Sequence, residues 1–581
     1  MAIAILAEIP TLMNGSTLSN NNLDRSSKVV VDLIWHSLLT SGARWNPKLR
    51  LNAKISIWTD MYDYIVIGAG SAGCVLANRL TENPDSTVLL LEAGGSDDRE
   101  EIQTPLLFGK LFKTECDWGY YTEPQRQLND RRLFWPRGKV LGGCSSHNAM
   151  IYNRGHRFTF DRWAAIGNEG WGYSDILPYF KKSENQQHGA SEYHGMGGPL
   201  DVADLRDINP LSSALLDACI EMGLPLNGDF NGLQQEGFGY YQVTQKQGRR
   251  CSTATAFLKP AMNRPNLTVQ INALATRLLF KGTRAAGVAY LQNGTTREAA
   301  AAKEIILCGG AVNSPQLLLL SGVGPAAQLS ALDIPVVVDL PGVGCNLQDH
   351  LAILINYECR EAITLANAST AAAALEYRHF RKGPLSSNVV EAGGYLQTKP
   401  GLQLPDLQLF LAPGWLIEHG FVKPEGHGFA FQPTAVVHAS AGSIRLRSDN
   451  PLEHPLIQPD YLEDEADMET LVAGFRLVRS LVDTKAFAPF KGSEFEPGSH
   501  IQSDSQIREF IRNRAESLYH PVGSCKMGVD SMAVVDPQLR VYGTHGLSVA
   551  DASVMPLIPN GNTNAPCIMI GEKAADLIKS R

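Results

Sequence analysis

The six residues Gly68-Ala69-Gly70-Ser71-Ala72-Gly73 and the carboxylate of Glu92 are the first groups whose types and spacing could do chemistry. Glycines spaced in this way permit a tight turn at Gly68, backbone approach to a pyrophosphate at Gly70, and close helix–strand packing at Gly73. A helix that starts here, with Ser71 and Ala72 in its first turn, points its N-terminus at phosphates. An acid at Glu92 accepts hydrogen bonds from ribose hydroxyls. That favours FAD or NAD over NADP, and this unit alone does not choose between the first two. The 14 histidines offer acid–base groups near neutral pH, but residue type alone does not select one. The stretch Asn560-Gly561-Asn562-Thr563-Asn564 is a good turn by composition.

The elements that must position these groups are legible around them. Residues 62–67 (YDYIVI) and 87–91 (TVLLL) read as short buried strands, and 74–80 (CVLANRL) has helical spacing. This is the strand–helix–strand context that the glycine fingerprint requires. A further buried strand, 304–307 (EIIL), runs into a helix for which Ser314 and Pro315 suit the start. Residues 547–550 (LSVA) read as another parallel-type strand ending at Asp551, and 565–578 as a helix. Strands are also expected at 407–411 and 442–447.

Composition bounds the rest. The 581 residues are 44% hydrophobic and 19% charged, an ordinary globular balance, and the length favours two domains. A net charge of −8 gives no basic surface for phosphate backbones, so nucleic acid is not an expected partner. The ten cysteines are scattered without a Cys-x-x-Cys pair, as in the thiols of a reducing compartment. No window has the apolar length of a transmembrane helix. The expected location is the cytoplasm, with peripheral membrane association left open. No metal site is expected, and the oligomeric state is not indicated. Residues 1–60 read as an N-terminal extension without the basic start of a signal peptide. They are either dispensable or a targeting or docking segment, with a short amphipathic helix expected at 29–39.

Four longer segments occur in a fixed order: PRGKVLGGCSSHNAM at 136–150, GAVNSPQLLLLSGVG at 310–324, YHPVGSCKMG at 519–528 and LSVADASVMPLIPNGNTNAPCIMIGE at 547–572. From about Tyr62 to Arg581 the chain thereby resembles the glucose–methanol–choline (GMC) oxidoreductase family, in tone nearest its bacterial choline dehydrogenases and aliphatic alcohol dehydrogenases. The resemblance implies an α/β (overall α+β) fold. A Rossmann-type FAD-binding domain is expected over 61–155, 255–350 and 530–581. A substrate domain of antiparallel sheet and helices is expected over 156–254 and 351–529. It also implies oxidation of a primary alcohol to an aldehyde by hydride transfer to flavin N5.

In that resemblance His520 is the catalytic base and Asn562 its partner, a neutral group that holds the substrate oxygen without competing for the proton. Gly142 and Gly143 are expected to keep a turn open so that backbone amides reach the flavin pyrophosphate. Arg137, Asn148, Ala149, Ala275, Asp551, Ala552 and Thr563 are implied cofactor contacts. The C-terminal helix would aim its N-terminus at the flavin ring. The segment GGCSSHN departs from the family's usual GGSSSIN and matches choline oxidases, in which its histidine is bonded to the flavin 8α-methyl group. His147 carries that covalent role here as an expectation. Ala149 and Leu518 differ from choline oxidase at positions bordering the flavin, so the acceptor stays open between quinone, another carrier and O2. Glu391 is expected near the substrate cavity, where a carboxylate could pair with a trimethylammonium group, or else to be structural. The alternative reactions are choline oxidation to betaine aldehyde and, in another class, a lyase of the same fold such as a hydroxynitrile lyase.

Overall fold

The C-terminal half of strand Met61–Ile67 is apolar and fully enclosed at Ile65 and Val66. It pairs in parallel with Val88–Leu91, whose four residues are all buried. Such an unbroken apolar run belongs to a strand covered on both faces. The computed structural model describes residues 61–437 and 440–581, so the N-terminal extension and its expected helix lie outside the described residues. Helix Ser71–Leu80 connects the two strands. Its register on the preceding turn depends on Gly73, where a Cβ would stand 1.9 Å from the Gly68 carbonyl oxygen.

Seven strands form this first sheet. Leu267–Gln270 flanks Val88–Leu91, and Thr295–Leu307 flanks Met61–Ile67 on the other side, both in parallel. The 13-residue strand Thr295–Leu307 serves two neighbours. Its first half pairs antiparallel with Arg284–Gln292, and Ile305–Leu307 pairs in parallel with Leu547–Val549.

The helix after Thr295–Leu307 spans Gly310–Leu320, so it begins before the expected Ser314–Pro315 start and carries Pro315 inside it. Two contacts explain the early start. The Asp551 carboxylate accepts from the Gly310 N–H at 2.8 Å, which satisfies an orphan donor of the first turn. The Ala311 carbonyl, which Pro315 cannot reach for lack of an N–H, accepts instead from the Ser524 hydroxyl at 2.6 Å.

A second sheet of eight strands is antiparallel. Its strands include Gly237–Tyr240, Ile355–Cys359, Ala392–Leu396, Leu407–Ala412 and Gly428–Ala435. Helix Glu465–Val482 packs its apolar face, including Met468, Leu471 and Phe475, into the core beneath the sheet. The two-residue strands Leu351–Ala352 and Glu516–Ser517 pair at one end, with Leu351 opposite Ser517. That pairing, extended by the Leu518 N–H to the His350 carbonyl at 2.9 Å, brings His350 beside His520. The last helix, Asn564–Lys579, lies on Ser71–Leu80, where Arg79 forks onto buried Glu572 at 2.9 and 2.7 Å. The expected strand at 442–447 is present as Gly442–Arg445 in a separate small sheet.

Candidate functional site

A cavity of about 1100 Å3 opens at the C-terminal ends of the parallel strands, lined there by Ile67, Leu91 and Leu307 and from the second sheet by Phe410 and Gln432. Ligands of open α/β sheets bind at that end. Most of the residues singled out from sequence converge on it. Gly68, Gly70, Ser71, Ala72 and Glu92 line one part. Arg137, His147, Asn148, Ala149 and Ala275 line another. Asp551, Ala552, Asn562, Thr563 and His520 complete the wall, together with Leu518.

Three do not face the cavity. Gly73 is spent on helix packing. Gly142, with φ +88°, closes its turn against Ser146, whose hydroxyl would lie 2.1 Å from an added Cβ; the expected open path belongs to Gly143 alone. Gly143 has φ +51°, and a Cβ there would meet the Gly70 Cα at 2.8 Å, so the two glycine turns close on each other. Of the two readings of Glu391, the contacts fit the structural one. Its oxygens accept from the Asn209 N–H (2.7 Å), Ser212 Oγ (2.9 Å) and Ser387 Oγ (2.7 Å), which ties the stretch 387–391 to the start of the helix Pro210–Glu221. Burial pushes its carboxyl above the usual range.

Two buried carboxylates organise the cofactor side. Glu92 accepts from the Ala69 and Gly94 N–H groups, each at 2.8 Å, and burial pushes it up to about 7. Asp551 accepts from Ser314 Oγ (2.6 Å) and from Ser553 N–H and Oγ (2.8 and 2.5 Å) besides Gly310, so it fastens a strand end to a helix start. The arrangement fits FAD. The nearest atom to a Cβ on Gly70 is 3.9 Å away, which leaves open room at the backbone where the helix Ser71–Leu80 begins. Thr563 and Asn564, at the start of the last helix, also face the cavity.

His147 is buried and its Nε2 has no partner. The Leu111 carbonyl faces the ring, and burial together with Arg137 and Arg250 holds the imidazole down to about 3. A neutral ring with one nitrogen occupied leaves an unpartnered lone pair on the buried Nε2.

The acid–base end is a chain of hydrogen bonds. Asn562 Nδ2 stands 3.3 Å from His520 Nε2, and His520 Nδ1 stands 2.9 Å from His350 Nδ1. Burial, aided by Arg137, holds His520 down to about 3, so the ring is neutral. Gln408 Nε2 donates to Asn562 Oδ1 at 3.5 Å, which turns the Asn562 amide N–H toward His520. An amide donor makes His520 Nε2 an acceptor and leaves the proton on Nδ1, donated to His350. The Nε2 lone pair, engaged by Asn562 at 3.3 Å, is the basic site that this pair presents on the cavity wall. The His520 backbone N–H donates to Asp349 at 2.7 Å. Asp349 also accepts from Ser517 Oγ (2.5 Å) and from the Tyr461 hydroxyl. Arg137 reaches across to the Tyr519 carbonyl.

Sequence reasoning missed His350, Gln408 and Asp349. Gln408 sits in an apolar strand where a lone amide was a detectable anomaly. His350 and Asp349 gave no signal, because their partner lies 170 residues away.

Comparison with known proteins gives consistent findings. Residues 62–352 match the N-terminal model described as GMC oxidoreductase, and 438–571 match the C-terminal model of the same description. The chain is 48% identical to the mitochondrial choline dehydrogenase of Homo sapiens over 90% of each chain. It is 46% identical to the alcohol dehydrogenase [acceptor] of Pseudomonas putida, over 89% of this chain and 96% of that one. Among solved structures it is similar to pyridoxine 4-oxidase from Mesorbium loti, with a TM-score of 0.83 and 30% identity over 90% of this chain and 99% of the other. Formate oxidase of Aspergillus oryzae RIB40 superposes with a TM-score of 0.84 at 28% identity over 90% and 98%.

Proposed function

The chain belongs to the GMC oxidoreductase family, as an FAD-dependent oxidoreductase, and from that premise we propose that it oxidises a primary alcohol to an aldehyde. The observation that carries this reading is the neutral His520, with Nε2 turned to the cavity by Asn562 and Nδ1 engaged by His350. When bound, FAD supplies the acceptor for hydride from the alcohol carbon. His520 Nε2 takes the hydroxyl proton, and the Asn562 amide donates to the same oxygen and holds it in place. Gly70, Ser71 and the start of helix Ser71–Leu80 would receive the pyrophosphate, and Glu92 the ribose. Leu106, Phe112, Leu365, Trp415 and Phe421 close the cavity wall with apolar surface that limits water. Anaerobic bleaching of the flavin by added primary alcohols tests the reading; a flavin that no alcohol bleaches would sink it.

Choline is favoured as the alcohol by the relatives named choline dehydrogenase, at 45–48% identity. Its trimethylammonium group would not be met by Glu391, whose carboxylate is taken up by Asn209, Ser212 and Ser387. The test is turnover of choline against its neutral isostere 3,3-dimethyl-1-butanol; equal kcat/KM would argue against choline.

The unpartnered, buried Nε2 of His147 supports a covalent bond to the flavin 8α-carbon. Acid precipitation separates the outcomes: yellow colour in the pellet supports the bond, and colour released to the supernatant refutes it. Among the described residues no helix is long and apolar enough to cross a membrane. Quinone, another carrier or O2 takes the electrons from the reduced flavin.

A further inference from the structure

Gln245–Lys246 and Arg249–Arg250 pair as a small hairpin, turned at Gln247 and Gly248 with φ of 51° and 74°. Successive strand residues point to opposite sides. Arg249 is accordingly exposed, while Arg250 is only 2% exposed. A buried charge is costly unless it is paired. The other fully buried arginine, Arg154, meets buried Glu184 at 2.9 Å. Arg250 has no such partner: among the described residues no carboxylate forms an ion pair with it. Its Nε donates to the Ile102 carbonyl (2.9 Å), and its Nη1 to the Ser145 carbonyl (3.1 Å) and to Asn148 Oδ1 (2.8 Å). Its Nη2 is buried without a partner. Desolvation alone moves the guanidinium, down to about 9, so it stays charged at neutral pH.

The contacts of Arg250 lead to the wall of the large cavity. Asn148 lines that cavity, and its Oδ1 accepts both from Arg250 Nη1 and from the Met150 N–H at 3.0 Å. The amide oxygen is thus taken by the protein, and the amide NH2 is what Asn148 has left to offer a ligand. His147, which also lines the cavity, feels the same charge, since Arg250 is among the groups that hold its ring neutral. Further along, Thr253 Oγ1 stands 2.7 Å from Ser145 Oγ, which fastens the chain after the hairpin to the same stretch of wall.

Alcohol oxidation brings negative charge into this cavity. The hydride carries two electrons and one proton from the alcohol carbon to FAD, so the cofactor gains one negative charge while the hydroxyl proton passes to His520. We propose that Arg250 is a positioning residue for this step: its guanidinium, acting through Asn148, stabilises the negative charge that the flavin gains and so raises the flavin reduction potential. The inference rests on the alcohol-oxidation reading.

The missing carboxylate is the telling feature. An acidic partner would make burial of Arg250 easier, as Glu184 does for Arg154, and would also cancel its field. Without one, the charge acts on whatever negative group enters the neighbouring cavity, and it acts strongly because little water screens it. A donor set in place before the reaction needs no rearrangement when the charge develops. Asn148 meets that condition, because Arg250 and the Met150 N–H together fix which way its amide points.

Two measurements on the holoenzyme test this without any alcohol: the flavin midpoint potential, by equilibration with redox dyes, and the Kd for sulfite, which forms an anionic adduct with oxidised flavin. In Arg250→Met the reduction equilibrium should fall at least about tenfold, the lower end of what a hydrogen bond to a charged group supplies, or about 30 mV for a two-electron couple. Sulfite should bind more weakly by at least the same factor. Arg249→Met removes the same charge from the exposed side of the hairpin and should leave both values native. Asn148→Asp sets a carboxylate against the guanidinium with little change of shape and should lower the potential and weaken sulfite binding; it carries the test if Arg250→Met does not fold. A native potential and native sulfite binding in Arg250→Met or in Asn148→Asp overturn the proposal. Loss of FAD from Arg250→Met, with a native potential in the flavin that remains, also overturns it and assigns the guanidinium to the pyrophosphate. The alcohol reading fails by a separate result, a native flavin that no primary alcohol bleaches.

Discussion

Replacing His520 with alanine tests the core of the proposed chemistry. A positioned base contributes about 10²–10⁴ to rate, or about 3–5 kcal/mol in the barrier. The structure argues for the upper part of that range. The substitution removes the acceptor of Asn562 Nδ2 and the donor to His350 Nδ1, so the oxygen-holding amide loses its orientation together with the base. A fall in kcat/KM of about 10³–10⁴ is expected. The pH profile gives a second reading. Burial holds His520 down to about 3, so the native base is unprotonated from neutral pH downward and the acid limb should lie far below the ordinary histidine range. In the variant hydroxide must take the proton, and the rate should climb about tenfold per pH unit. The assay is stopped-flow bleaching of the flavin, with FAD content checked by absorbance, since neither Glu92 nor Asp551 touches His520. A variant within tenfold of the native rate, or one with the native pH profile, would refute the assignment.

Other consequences follow from the same geometry. Gln408→Leu frees the Asn562 amide to rotate and should lower kcat by about tenfold, the worth of one hydrogen bond, with KM little changed; steady-state kinetics would show it. Gly143→Val forces a Cβ to within 2.8 Å of the Gly70 Cα and should yield folded protein purified largely without flavin, read from the absorbance ratio. His147→Gln removes a histidine held down to about 3 from an ordinary 6.5. Between those values the unfolded chain binds a proton that the folded chain does not, so native stability present above pH 6.5 is lost as pH falls through the window. Urea unfolding of the flavin-free proteins should therefore show the variant gaining on the native protein by about 1.4 kcal/mol per pH unit as pH falls. Glu92 and Glu516, pushed up to about 7, act in the opposite sense, so the difference between the two proteins is the quantity to compare.

The local parts of the site could be read from the chain alone. Gly68 to Gly73 and Glu92 lie within one strand–helix–strand unit, where short-range patterning dictates both element and role. The parallel strands were legible because burial on both faces demands uninterrupted apolar residues, as in Val88–Leu91. What escaped were directions and distant partners. Glu391 immediately precedes a strand, and nothing in its neighbours says that its carboxylate turns toward Asn209 and Ser212 rather than the cavity. His350 acquires meaning only because two-residue strands 165 positions apart pair, Leu351 with Glu516–Ser517. The early start of the helix Gly310–Leu320 depends on Asp551 and Ser524, both far along the chain, which relieve the costs that Pro315 would otherwise impose.

The packing of Asn564–Lys579 on Ser71–Leu80 bears on how the protein is made. Arg79 and Glu572 meet across 493 residues of sequence, as do Ser71 Oγ and Asn564 Oδ1 at 2.8 Å. During synthesis, then, the phosphate-binding turn emerges early and stays unfinished until the helix Asn564–Lys579 has left the ribosome. Contacts this distant in sequence slow folding. A ligand that binds only the completed fold stabilises it by mass action. Flavin supply should accordingly govern how much of the newly made chain escapes proteolysis, and cells grown short of riboflavin should lose this protein before they lose its message.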